Sequence, residues 1–374
     1  MKYCEKCLQP DTRPNSLFEN GCCPACNYHN QLFRVNWDAR KEDLDKICSE
    51  IKNSSTGRYD CIIGVSGGKD STRQAVYVRD KLGLNPLLVC MSMPHEQMTE
   101  RGAANISNLI KLGFDIDMVS PSAPKWKELK REGFVKFVNS FRSTELTLFA
   151  TVPKIAIQKK IKWIFWGENP ALQVGDLKSM GRNGWDGNNV ISANTLSSGH
   201  QWMIDNGHTE NMLNFYTYPS KNDFKKHQLQ IVYLGWFLGN WSEVENGMYS
   251  VTKGLTTRTH PVNRTADLYG ITALDEDFTP INQYIKYLKF GFGRITDYVN
   301  EDIRNSRCTR EEGIKVVENF DAVNDPDYIK AYCDYLEMSV SFFYETINPI
   351  IDKTLFKIDG RDIIPRFKVG IGLI

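Results

Sequence analysis

Short apolar runs rich in β-branched residues alternate, through the first half of the chain, with stretches whose apolar positions recur every three or four residues. The run over 59–65, Tyr-Asp-Cys-Ile-Ile-Gly-Val, predicts a strand. Beyond it, Ala75, Val76, Val78 and Leu82 fall on one helical stripe that stops at Gly83. A strand is predicted over 87–91, a helix over 100–112 stopping at Gly113, and a strand over 116–119. Helical segments from about Trp126 and from about Glu145 to Ile161 lead to a further strand over 163–166. This order predicts an α/β fold with a parallel sheet of at least four strands.

Outside that block the pattern changes. Trp37, Leu44, Ile47 and Ile51, with charges between them, predict a polar helix, and the cluster Asn53-Ser-Ser-Thr-Gly57 marks a domain boundary. Residues 175–246 lose periodicity, and long irregular stretches in compact domains are usually lids or binding loops. The last third reads as mainly helical: Thr309 with Glu312 fits a capping box, and Asp325-Pro326 an N-cap followed by proline. The expected division is an N-terminal knuckle over 1–36, a nucleotide-binding domain over 57–175, an irregular substrate or lid region over 176–280, and a helical region over 281–374.

With 24% charged and 41% hydrophobic residues the chain is ordinary for a globular protein, and no apolar run approaches the ~18 residues of a membrane span. The N-terminal residues lack a secretory pattern, so a cytoplasmic location is expected. A net charge of +1 gives no general electrostatic reason to bind nucleic acid. Ten cysteines in such a chain point to metal and core roles. Cys4-x-x-Cys7 and Cys23-x-x-Cys26 form two knuckle turns with the spacing of a closed four-thiolate zinc site, for which a structural role is expected.

The chemistry centres on Ser66-Gly67-Gly68-Lys69-Asp70-Ser71. An apolar strand before it, a glycine pair within it and a helix after it let backbone N–H groups converge on an anion at a helix N-terminus. A Walker A loop ending at Lys69 would need glycine at Ile63 and a hydroxyl at Asp70, so the sequence is not that motif. The hexapeptide resembles the S-G-G-x-D-S loop of the PP-loop ATP pyrophosphatases, a HUP-like fold. That resemblance implies cleavage of ATP between the α and β phosphates. Segments just past the strands are where ligands bind in such sheets. The resemblance implies Met91 and Ser92 at the adenine and Gly167, Glu168 and Asn169 near the reacting end.

The knuckle, the 66–71 loop, the Gly167-Glu-Asn169 turn and the Lys289-Phe-Gly-Phe-Gly-Arg294 segment, in that order, resemble the N-acetyl sugar amidotransferases of surface-polysaccharide and nonulosonic-acid pathways. The resemblance implies conversion of a sugar acetamido group to an acetamidino group, with ATP, Mg²⁺ and Zn²⁺ as cofactors. Ser66, Gly67, Gly68 and Ser71 would hold pyrophosphate, Lys69 offset its charge, Asp70 help hold Mg²⁺, and Arg294 with Lys289 clamp AMP or an acidic sugar. No cysteine has a glutaminase pattern, so ammonia is expected from a separate glutaminase, in a pair like the subunits of imidazole glycerol phosphate synthase. The alternative is a PP-loop tRNA-modifying enzyme of thiolation or lysidine-like type, which for thiolation needs reactive cysteines near the nucleotide.

Overall fold

Five parallel strands form the centre: β1 Cys61–Gly64, β2 Pro86–Met91, β3 Ile116–Val119, β4 Trp163–Trp166 and β5 Gln230–Tyr233, in the order β3-β2-β1-β4-β5. The computed structural model describes residues 1–374 except 56, 177, 182, 193–195, 197, 198, 360 and 361. Strand alternation divides the sheet between two cores. Cys61, Ile63, Leu88 and Cys90 pack with Ala75, Val78, Ile106 and Leu109 on one face. Ile62, Leu87, Val89 and Ile164 pack with Leu129, Leu146 and Val152 on the other. Burial on both faces is why these strands read as nearly continuous apolar runs. Strand β5 lies inside the stretch expected to be irregular, because its four residues, three of them buried, are too few for a repeating pattern to show.

The strand order reverses between β1 and β4, which opens a crevice beyond their carboxyl ends. Helix Lys69–Asp80 follows β1 and helix Pro170–Val174 follows β4. A third wall comes from residues 253–276, hung on helix Glu100–Lys111. Thr99 donates its N–H to the Asp275 carbonyl at 3.0 Å and its hydroxyl to that of Leu274 at 2.7 Å, while also capping the helix. The Asn105 side chain exchanges hydrogen bonds with the backbone of Thr256, at 3.0 and 2.7 Å. Arg258, whose role sequence alone did not reveal, is buried and donates to the carbonyls of Ala273 and Glu276, folding the wall upon itself.

The C-terminal helices Thr279–Phe290, Arg294–Arg304, Arg310–Phe320, Pro326–Tyr335 and Val340–Ile347 enclose a separate core around Leu288, Ile295, Tyr332 and Phe343. Thr309 and Glu312 form the expected capping box, and Asp325 caps the helix opened by Pro326. The chain closes with two small hairpins, Phe356–Asp359 with Asp362–Pro365 and Phe367–Lys368 with Gly372–Leu373. The N-terminal knuckle docks onto these helices: the Leu8 N–H meets Asn300 Oδ1 at 2.7 Å and Arg13 pairs with Asp297. No helix among the described residues is long and apolar enough to cross a membrane.

Gly102 brings the third wall close, since a Cβ there would stand 2.6 Å from the Asp275 Cα. Gly102→Ala should therefore cost about 1–3 kcal/mol of stability by overpacking, although alanine favours helices. An unchanged denaturant midpoint would show that the wall yields freely.

Candidate active site

Gly67 adopts φ +76°, and a Cβ there would lie 3.0 Å from the Asn105 Cβ, so the tight turn after β1 needs glycine. Gly68 is the N-cap of helix Lys69–Asp80 and its carbonyl accepts the Thr72 N–H. Among the described residues, the backbone N–H groups of 66–71 meet no acceptor. They are the donor-rich start of a helix, with Ser66 in the loop and the Ser71 hydroxyl on the Gly68 carbonyl at 3.1 Å.

Two cavities of about 330 Å³ each meet at this loop. Both are lined by Ser66, Gly68, Asp70, Glu168, Ala273 and Asp275. One runs over the sheet ends and is walled by apolar groups, including Val65, Met91, Met93, Leu148 and Trp166. It suits a flat heterocycle. The other is charged, bounded by Lys69, Glu243, Arg294, Tyr298, Glu301 and Arg304.

Glu243 organises the charged side. Its carboxylate lies 2.6 Å from Lys69 Nζ and 3.1 Å from an Arg294 guanidinium nitrogen. Burial opposes the charge on Lys69, but the carboxylates of Asp70 and Glu243 outweigh it and hold its pKa above the ordinary lysine range. Burial likewise opposes the charge on Glu243, and the two cations overcome it to hold its pKa down. Asp70 accepts from Lys69 at 2.8 Å and from the Asn246 side chain at 2.5 Å, and Asn246 in turn accepts from Arg73 at 2.6 Å. The Ser250 hydroxyl caps the Lys69 carbonyl at 2.6 Å. Helix Glu243–Thr252 thus fixes the loop from behind.

Glu168 is half-buried at the seam, and its carboxyl is pushed up by burial and by the nearby charge of Asp70. Two carboxyls that repel each other beside an anion-binding loop suit a divalent cation, which would relieve both. Asp70 and Glu168 are the residues that would hold Mg²⁺.

Several expected residues do not face the cleft. Asn169 is buried, caps helix Pro170–Val174 through Leu172 N, and donates to the Gly235 carbonyl at 3.0 Å. Ser92 lines neither cavity; its N–H goes to Val119 and its hydroxyl to Met93. Lys289 donates to the carbonyls of Phe137 and Val138, closing the end of helix Ala123–Phe137, and lines neither cavity. Gly67 shapes the loop while Gly68 faces both cavities, and Gly167 lines the apolar one. Sequence reasoning missed Glu243, Asn246, Asp275 and Glu301. The one local signal was the cap at Ser242, which accepts from Glu245 N and starts the helix bearing Glu243.

At the N-terminus the sulfurs of Cys4, Cys7, Cys23 and Cys26 all lie within 4.8 Å of one another and are buried, with Cys7 and Cys23 3.7 Å apart. The Cys23 N–H points to the Cys4 sulfur and the Gln9 N–H to the Cys7 sulfur. Four thiols with N–H support and no open position fit a structural zinc ion. Cys22 is outside the cluster.

Residues 264–368 match the family model described as "LPS biosynthesis protein WbpG-like, C-terminal domain". An uncharacterized protein of Methanocaldococcus jannaschii, MJ1599, is 30% identical over 87 residues, 23% of this chain and 30% of its own length. Three solved structures share low similarity. The NH3-dependent NAD synthetase of Campylobacter jejuni (12% identity, TM-score 0.30) covers 52% of this chain and 96% of its own. The NMN synthetase of Francisella tularensis (13%, 0.28) covers 61% and 99%. The U34-tRNA thiolase NcsA of Methanococcus maripaludis (13%, 0.31) covers 86% and 90%.

Two substitutions test this geometry. Glu243→Gln leaves the half-buried Arg294 short of an anion and the buried Lys69 with Asp70 alone, and should cost about 1–3 kcal/mol, read from denaturant unfolding; no loss would mean the bridge is not organising the site. Cys23→Ser should lose bound zinc on metal analysis while Cys22→Ser keeps it, and equal losses from both would refute the assignment of ligands.

Proposed function

We propose that this chain is an ATP-dependent, AMP-forming amidotransferase that converts the acetamido group of an N-acetylated sugar to an acetamidino group. The observation that carries this reading is the Ser-Gly-Gly-Lys-Asp-Ser loop at the seam of an apolar and a charged cavity. An adenosine fits the apolar side beside Met91 and Trp166, which leaves the phosphates over the donor-rich loop and the second reactant on the charged side. The lipopolysaccharide-biosynthesis description of the model matching 264–368 supports a sugar substrate.

An amide carbonyl is a poor electrophile, and its oxygen must leave as something better than hydroxide. Adenylation achieves that. The acetamido oxygen attacks the α-phosphorus and pyrophosphate departs into the 66–71 loop. Its charge is met by the backbone N–H groups, the hydroxyls of Ser66 and Ser71, Lys69 and Arg294. Mg²⁺ at Asp70 and Glu168 would supply further charge neutralisation. Ammonia then displaces AMP, and the protein's main contribution is positioning. The nitrogen comes from a separate glutaminase, in the manner of the imidazole glycerol phosphate synthase pair, and the enzyme works in the cytoplasm.

A tRNA-thiolation reading is less well supported. Beyond the knuckle, Cys61, Cys90 and Cys333 are buried and burial raises their pKa, keeping them as thiols. Among the described residues no cysteine lines either cavity.

Incubation with ATP, Mg²⁺, ammonium chloride and acetamido sugars labelled with heavy oxygen in the acetyl carbonyl checks the reading. The expected products are pyrophosphate, an acetamidino sugar, and AMP carrying the label in its phosphate, in proportion to sugar converted. ADP as the product, or label released to water, would overturn the mechanism.

A further inference from the structure

The charged groups of the cleft are mostly committed to one another. Glu243 answers Lys69 and Arg294; Asp297 answers Arg13 and Lys286; Asp70 is held by Lys69 and Asn246. Glu301 accepts the Glu243 N–H and lies 3.6 Å from Arg307. Asp275 stands apart. It belongs to the third wall, across the cleft from the phosphate loop's helix, and lines both cavities. Its backbone is fixed by Thr99, by Arg258 on either side and by the close approach of Gly102. Among the described residues no side chain donates to its carboxyl, which takes a hydrogen bond from its own backbone N–H.

The charged groups around it are spoken for. Arg101 pairs with Asp277 and Arg258 serves backbone carbonyls, while Glu276 accepts from Phe278 N and from Thr279. Burial and the neighbouring charge of Glu276 raise the Asp275 carboxyl to about 7. It is therefore a stronger proton acceptor than an ordinary aspartate. An anchored carboxylate at the seam, near Arg101 and Arg258 but in no ion pair among the described residues, lines the place where the activated carbon and a cationic co-reactant must meet.

We propose that Asp275 binds the incoming ammonium ion and takes its proton, making it a catalytic residue of the second half-reaction. The inference rests on the amidotransferase reading above. The amide N–H proton is lost when the oxygen is adenylated, leaving a neutral imidate. Asp275 removes one proton from ammonium, and the freed lone pair forms a bond to the imidate carbon. A proton passes from the incoming nitrogen to the imidate nitrogen. The carbon–oxygen bond then breaks, its electron pair leaving with AMP, and the product is the amidinium cation. Asp275 returns its proton to solvent.

The test is the ratio of substituted product to AMP in Asp275→Asn, the product being the acetamidino sugar with ammonium chloride and, separately, its N-hydroxy derivative with hydroxylamine. Hydroxylamine is unprotonated near pH 7 and needs no base to become a nucleophile. With ammonium the ratio should fall about 100-fold, the scale of general-base catalysis. With hydroxylamine it should return toward the wild-type value, and Asp275→Glu should recover part of the ammonium-dependent ratio. An unchanged ratio with ammonium overturns the proposal, as does an equally low ratio with both nucleophiles. Loss of AMP formation in Asp275→Asn, with wild type active, would assign the carboxyl to the nucleotide step and overturn it too. If wild type itself forms no AMP with any acetamido sugar, the amidotransferase reading fails, and this proposal with it.

Discussion

A half-buried carboxylate, Glu243, holds two cations from segments far apart in the chain, and the charged side of the cleft is built around it. Lys69 comes from the helix after β1, Arg294 from the glycine-broken turn of the helical region, and Glu243 from a helix between them. Each cation alone would carry a heavy desolvation cost in this setting. The shared anion removes that cost only when all three segments are in place. Packing of the C-terminal region against the sheet therefore completes the charged side of the cleft. The arrangement also leaves two cations close to the donor-rich loop, so the field there is fixed before any phosphate arrives.

The cleft separates its tasks by polarity. Over the sheet ends the carboxyl termini of β1, β2 and β4 supply apolar walls, because residues continuing the strands remain inside the core pattern. Across the loop, Lys69 and Asp70 come from the helix after β1, while Glu243, Arg294, Glu301 and Arg304 come from helices outside the sheet block. In the proposed reading, the boundary between the two would take a nucleotide's sugar–phosphate junction. That boundary is lined from the sheet side by Asp70 and Glu168 and from the third wall by Asp275.

The N-terminal knuckle belongs to this architecture. Helix Pro24–His29 packs against helix Pro170–Val174, and the contact needs Gly175 at φ +75°, where a Cβ would stand 2.4 Å from Pro24. Arg304 lines the charged cavity, donates to the Leu172 carbonyl at 3.3 Å, and has the sulfurs of Cys7, Cys23 and Cys26 as electrostatic neighbours. A metal held by the four thiols would thereby support the turn bearing Glu168.

The sequence alone determined what is written in local pattern. Alternation of apolar runs with helical stripes specified the parallel sheet, because strands buried on both faces read as short continuous apolar runs and the helices between them as three-to-four-residue stripes, both contained in a short window. The glycine pair, the Cys-x-x-Cys spacing and the caps at Thr309 and Asp325 were legible for the same reason: each is satisfied by neighbours a few residues away. Asn169 and Ser92 sat in the right places past the strands, yet nothing local distinguished a side chain facing the cleft from one capping a helix or joining the sheet. Glu243, Asn246, Arg258 and Asp275 carry no motif at all. Their roles arise from contacts spanning as many as 176 residues, as between Asn246 and Asp70, and only the packed tertiary structure decides which buried charges meet.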